Sequence, residues 1–151
     1  MAPKSEGKNV EYRSRARAEM TSLSSAFVLD TDVLLDYLYD DARATSYLES
    51  LGGLLMVSAV TVTELFMGVR EGPERDALER FLSAFEIVDI DLAIASLAGL
   101  YRRDYARKYH TTVADALVAA TAKSRKATLV TLNSERYPML KKVIVPYSDH
   151  A

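Results

Sequence analysis

The chain contains no cysteine, which removes disulfides, thiolate zinc sites, iron–sulfur clusters and thiol nucleophiles together and suits a reducing compartment. Histidine is almost as scarce. His110 and His150 are too few and too far apart to build a histidine metal centre. No apolar run reaches the roughly 18 residues that a membrane-crossing helix needs. No apolar signal core follows the Lys and Arg residues of the N-terminus, so the expectation is a soluble, cytoplasmic protein with no membrane partner. Phosphate-binding glycine loops, dinucleotide fingerprints and a nucleophile elbow are missing, which leaves nucleotide-cofactor and serine-hydrolase chemistry without a foothold. Positive charge is not in excess either. A net charge of −2 provides no global field for nucleic acid, so such contact requires a local basic patch or a bound cation. Any resident metal must be held by oxygen.

What is present is an ordinary globular composition, 49% hydrophobic and 26% charged, in 151 residues, a length that suits one domain. Residues 1–25 are polar and of mixed charge, and are expected to be an N-terminal extension in which Met20 is a second candidate start. Residues 26–147 are expected to form the domain, and 148–151 a short tail. From Ala26 onwards, short unbroken apolar runs alternate with longer helix-period segments. The runs begin at Ala26, Leu54, Ile87, Thr128 and Val143. They are too short for helices and do not alternate with polar residues, as expected of strands buried on both faces. Helices are predicted over about 33–39, 43–51, 60–69, 74–85, 92–108 and 113–125. Strand followed by helix, repeated, predicts a three-layer α/β/α sandwich around a mostly parallel sheet of four to five strands.

In such a sheet, ligands bind beyond the carboxyl ends of the strands. Asp30-Thr31-Asp32 follows the first run, Ser58 to Glu64 the second and Thr131-Leu132-Asn133 the fourth, while Asp115 opens the last long helix. Asp30, Glu64 and Asp115 have apolar sequence neighbours, unlike most solvated acids. Each also has a plain structural role open to it. Asp30 can cap a helix, and Thr61 with Glu64 or Thr112 with Asp115 can form capping boxes. Three acids meeting at one sheet edge would repel at about 3 kcal/mol per pair for a separation of about 5 Å. A divalent cation such as Mg²⁺ relieves that repulsion and engages phosphate. Thr31 and Thr131 can position ligands or serve as turn hydroxyls, and Ser58 can line the site or open a helix.

The blocks Phe27–Asp36, Ser58–Gly68, Asp115–Ala122 and Leu129–Asn133 resemble, in order and spacing, the four signature blocks of PIN-domain nucleases, most closely the VapC-like toxins of type II toxin–antitoxin systems. The resemblance spans about 26–147. It implies a PIN-like fold and an endoribonuclease dependent on Mg²⁺ or Mn²⁺. The implied metal ligands are Asp30, Glu64 and Asp115, with Asn133 at the fourth polar catalytic position, where many relatives carry Asp. Asp32 stands where the family commonly has Asn, adding charge beside Asp30. The neutral Asn133 implies a weaker second metal site. Asp36 reads as surface charge.

RNA contact is expected from Arg70, Arg102, Arg103 and Arg107, although Lys and Arg near helix ends also simply complement the helix dipole. Tyr101, Tyr105 and Tyr109 form one helical stripe, read first as packing and second as base stacking. Apolar faces carrying Leu34, Leu35, Leu38, Phe66, Met67 and Val69 can accept another chain. The resemblance implies a VapB-like antitoxin there, and a homodimer is expected. Two rival readings stand beside this one. A haloacid dehalogenase-like phosphatase would use Asp30 as nucleophile, but no acidic pair follows a later strand. A non-catalytic PIN-like binding module would be expected to have lost its acids, and all three are present.

Overall fold

A computed structural model describes residues 25–148. The expected extension over 1–25, apart from Ser25, and the tail beyond Ser148 with His150 lie outside the described residues. Five strands, β1 (Ala26–Leu29), β2 (Leu54–Ser58), β3 (Glu86–Val88), β4 (Thr128–Val130) and β5 (Val143–Ile144), form one sheet in the order β3-β2-β1-β4-β5. Every pairing in it is parallel. The helices are α1 (Thr31–Leu38), α2 (Ala42–Ser50), α3 (Ala59–Met67), α4 (Pro73–Leu82), α5 (Leu92–Tyr109) and α6 (Val113–Ser124), with a short 3-10 turn over Ser134–Arg136. None of the described helices is long and apolar enough to cross a membrane.

The unbroken apolar runs are explained by the two cores. Along β1, Val28 points into a cluster with Met56, Leu129, Ile94 and the alanine-rich face of α6, while its neighbour Leu29 points the other way, into a cluster with Leu34, Leu48, Leu65 and Leu78. Successive strand residues face opposite sides, so a strand between two helical layers must be apolar at consecutive positions. The strand order runs β1, β2, β3 to one side and then restarts at β4 on the other. The crevice between the ends of β1 and β4 is therefore the topological switch point, where open sheets bind ligands. Asp30 N–H donates to the Val130 carbonyl at 2.9 Å and fastens the two strand ends together.

Side chains mark the helix starts. Asp30, Asp41, Ser58, Asp91 and Thr112 each cap a helix. The Thr112–Asp115 capping box forms as predicted: Asp115 N–H donates to Thr112 Oγ1 at 3.0 Å and Thr112 N–H to Asp115 Oδ2 at 3.0 Å. The Thr61–Glu64 box does not. Helix α3 begins earlier, capped by Ser58, so Thr61 lies inside the helix, buried, with its hydroxyl unpaired, and Glu64 is released to point elsewhere. Replacing Thr112 with Ala is expected to cost about 1 kcal/mol, read as a lower urea midpoint with an unchanged m-value.

Asp36 is not the plain surface charge expected of it. It is half-buried and accepts a hydrogen bond from the Tyr147 hydroxyl at 2.9 Å. Arg43 stacks over the Tyr147 ring at 4.7 Å and donates to the Ser148 carbonyl, so the last described residues are strapped across α1 and α2. The tyrosine stripe of α5 favours packing. Tyr101 lies against the core, and the successive ring centroids are 6.3 and 6.1 Å apart.

Candidate active site

The switch-point crevice is a cavity of about 190 Å³, lined by Asp30, Thr31, Asp32, Glu64, Asp115 and Asn133, together with Arg136 and Tyr137. Six of the sequence-predicted residues thus meet at one place, brought there by β1 and α1, by α3, by α6 and by the turn after β4. Thr131, fully buried, joins them through its hydroxyl, which donates to Asp30 Oδ2 at 2.8 Å and accepts from Asn133 N–H at 3.1 Å. Ser58 does not line the cavity; it caps α3, accepting from Val60 N–H at 3.3 Å. The four arginines expected to hold RNA are also absent from the lining. Arg70 pairs with Glu74 at 3.3 Å, Arg103 pairs with Asp104 at 2.8 Å, and Arg102 Nε donates to the Thr111 carbonyl at 2.6 Å beyond the end of α5. Arg107 lies exposed in the last turn of α5, where it complements the dipole.

Asp30 is the most constrained acid. Its Oδ1 accepts from Thr31 N–H at 2.9 Å, and its Oδ2 from the Thr131 and Tyr137 hydroxyls at 2.8 and 2.7 Å. Burial nevertheless pushes its carboxyl above the usual range, outweighing those donors, and the charge of Asp115 adds to the shift. Asp32 is pushed up to about 6, first by burial and then by the negative charge of Asp30. Its role is mechanical as well. It accepts from Leu132 N–H at 3.0 Å and from Val33 N–H at 2.7 Å, tying the turn after β4 to the start of α1. Glu64 is exposed rather than buried and accepts from the Thr31 hydroxyl at 2.9 Å, which aims it at the cavity.

Tyr137 was not anticipated from the sequence. It is 2% exposed, and its hydroxyl stands between two acids, 2.7 Å from Asp30 Oδ2 and 3.5 Å from Asp115 Oδ1. Burial and the surrounding carboxylates raise its pKa, so it remains a proton donor at any physiological pH. The only local sign of it is a phenol directly after the polar turn Ser134–Arg136; its partner is 107 residues away. Arg136 also escaped notice, and reaches to 3.9 Å from Asp115. Replacing Tyr137 with Phe leaves Asp30 short of a donor and is expected to cost about 1–2 kcal/mol in chelator, measured by urea unfolding.

The donor set is hard oxygen throughout, and two of its acids, Asp30 and Asp32, are pushed toward the neutral form chiefly by burial, which a hard cation such as Mg²⁺ or Mn²⁺ would offset. Among the described residues no three His, Cys, Asp or Glu side chains are close enough together to chelate one ion directly. A ring of carboxylates around a cavity with room for several waters suits an ion that keeps much of its hydration shell and takes only one or two carboxylates directly, as Mg²⁺ does.

Comparison with known proteins agrees with this geometry. The PIN domain family profile matches residues 27–141. Ribonuclease VapC10 of Mycobacterium tuberculosis is 33% identical over 124 residues, covering 80% of this chain and 92% of that protein. Ribonuclease VapC1 of Methanocaldococcus jannaschii is 31% identical over 129 residues, covering 85% and 90%. A toxin–antitoxin complex from Klebsiella pneumoniae contains a chain that superposes with a TM-score of 0.71 at 26% identity, covering 83% of this chain and 99% of that one. With its acids gathered at the switch point of a five-stranded parallel sheet and its sequence matched along nearly the whole described length, the chain belongs to the PIN domain family.

Proposed function

We propose that the protein is a divalent-metal-dependent endoribonuclease and the toxin of a VapBC-like pair. The observation that carries this is the meeting of Asp30, Asp32, Glu64, Asp115 and Asn133 in one cavity at the switch point, in a chain whose relatives are named ribonucleases. Asp30, Glu64 and Asp115 would hold Mg²⁺ or Mn²⁺. When bound, such an ion polarises the phosphodiester and offsets charge growing on its oxygens.

The chain's own groups do the positioning. The Thr131 and Tyr137 hydroxyls fix the Asp30 carboxylate, the capping box fixes Asp115, and Thr31 fixes Glu64. Asp32 holds the turn that presents Asn133 at the rim. The phosphatase reading is not favoured, because Asp30 has both oxygens engaged by donors and the family match is to PIN domains. The non-catalytic reading is not favoured either, since every acid it would lack lines the cavity.

A second, apolar groove of about 350 Å³ adjoins the acids and shares Leu35 and Glu64 with their cavity. Leu38, Leu65, Val69 and Leu78 line it between α1, α3 and α4. It would seat an apolar segment of the antitoxin and bring that segment's basic residues to the acids. We further propose a homodimer, for which the exposed Leu92 and Leu100 of α5 supply an apolar face. The nuclease reading is tested by incubating the protein with bulk tRNA and rRNA. Cleavage is expected with Mg²⁺ or Mn²⁺ and none in EDTA, whereas intact RNA at every metal concentration would overturn the reading.

A further inference from the structure

The cavity presents an electrostatic problem to its own substrate. Four carboxylates line it, and one divalent ion neutralises only half of their full charge, so an RNA phosphodiester would still approach a negative mouth. Among the described residues, Arg136 is the only Lys, Arg or His that lines it. Its guanidinium is tethered only by a 3.9 Å approach to Asp115 and is 56% exposed, with no hydrogen bond at that distance. At that separation, with the guanidinium in solvent, the pair holds weakly. Among the described residues, Arg70, Arg75, Arg103 and Arg125 pair with exposed acids away from the cavity and Arg102 with a backbone carbonyl.

The backbone beneath Arg136 is well anchored. Its N–H donates to the Asn133 carbonyl at 3.1 Å, and the next residue, Tyr137, is buried and fixed to Asp30. A firmly placed stem with a loosely held, planar, five-donor head is the arrangement that phosphate recognition uses. We infer that Arg136 binds a non-bridging oxygen of the scissile phosphodiester, leaving Asp115 for the phosphate once a cation occupies the acids. This inference rests on the nuclease reading above and assigns to it the substrate-anion contact that the predicted arginines do not supply at the cavity.

The test uses the full chain, its Arg136→Ala and Arg136→Lys variants, and bulk tRNA in two arms. In the first, with Mn²⁺, Arg136→Ala is expected to lower kcat/KM by about 10- to 100-fold, with Arg136→Lys recovering part of the loss, because a point charge replaces a fork. In the second, with Ca²⁺ in place of Mn²⁺ to occupy the acids and the RNA confirmed intact on a gel, fluorescence anisotropy with a labelled single-stranded 12-mer RNA reads binding without hydrolysis. Arg136→Ala is expected to flatten the slope of log affinity against log salt by about 0.7, the loss of one phosphate contact. The melting temperature should stay within about 2 °C of wild type, since the side chain is exposed. Mn²⁺ affinity by calorimetry should not fall.

If wild type cleaves RNA and Arg136→Ala matches it in both arms, the inference is overturned and the nuclease reading stands. Weaker Mn²⁺ binding as the sole defect would also overturn it, by moving Arg136's role to the metal. If wild type neither cleaves nor binds RNA, the nuclease reading fails and this inference fails with it.

Discussion

Asp30→Asn is expected to lower RNA cleavage by about 10³-fold or more, equivalent to about 4 kcal/mol of transition-state stabilisation, while leaving the fold intact. The loss follows from the position of Asp30 at the centre of the acid network, in contact with Thr31, Thr131 and Tyr137. Preservation of the fold follows from the same contacts. Asn caps helices as well as Asp does, so the bond from Thr31 N–H survives on Oδ1. The amide nitrogen would replace Oδ2 and donate to the two hydroxyls. The Tyr137 hydroxyl can then turn its proton to Asp115 Oδ1, and that of Thr131 to Asp32 Oδ2, both already within 3.5 Å.

Removing a buried charge that its surroundings disfavour should hold the melting temperature level or raise it. Asp36→Asn is the matched control. That acid lies outside the cavity and holds Tyr147, so its loss should leave cleavage within about twofold of wild type, as expected of a change away from the chemistry. Equal cleavage by Asp30→Asn and wild type, with both folded, would remove this carboxylate from the mechanism.

The second large effect is an inverted pH dependence of stability in the absence of metal. Asp32 has its carboxyl pushed from an ordinary 3.8 to about 6, and Asp30 is raised as well. Between the unfolded and folded values the native state binds more protons than the unfolded state, so stability falls as pH rises. For Asp32 that shift corresponds to about 3 kcal/mol, lost progressively between about pH 4 and 6, with Asp30 adding to the fall. Asp41 and Asp104 are lowered instead, by their arginine neighbours, and their contribution is lost only as pH drops below about 4. The two effects occupy different windows.

Urea midpoints in EDTA should therefore decline from pH 4.5 to 7, and Asp32→Asn should flatten the decline. Saturating Mn²⁺ at pH 7, at about 100 times its Kd, should return about 3 kcal/mol. A chelated wild type that grows more stable from pH 4.5 to 7, with the same slope as Asp32→Asn, would mean that these acids carry no electrostatic strain.

The order of elements is largely legible in the sequence. An apolar run that is short and does not alternate reads as a buried strand, and the runs beginning at Ala26 and Thr128 start where β1 and β4 start, because burial on both faces leaves no polar position to blur them. Helix starts were harder. Thr61 looked like a cap because Glu64 stands three residues on, but Ser58 already fills that role and the spacing pattern could not rank them. Among the acids, Asp30, Glu64 and Asp115 stood out by their apolar sequence neighbours. That cue did not report burial: Asp115 is buried and Glu64 is exposed. The basic residues are ambiguous for a related reason, since a cluster along α5 equally complements the dipole at its own terminus.

The sequence by itself determined the sheet, the layers and which acids could be offered to a cation, because period, run length and cap chemistry are local and survive being read one residue at a time. Only the tertiary structure decided what completes the site. Tyr137 gains its meaning from Asp30, 107 positions earlier, and Arg136 from Asp115 across the same cavity. Asp32 becomes a clamp only when β4 lies beside β1 and brings Leu132 N–H to it. Hydrogen bonds and charge pairs act over a few ångströms of space, and parallel strands joined by helical crossovers bring together side chains that lie far apart along the chain.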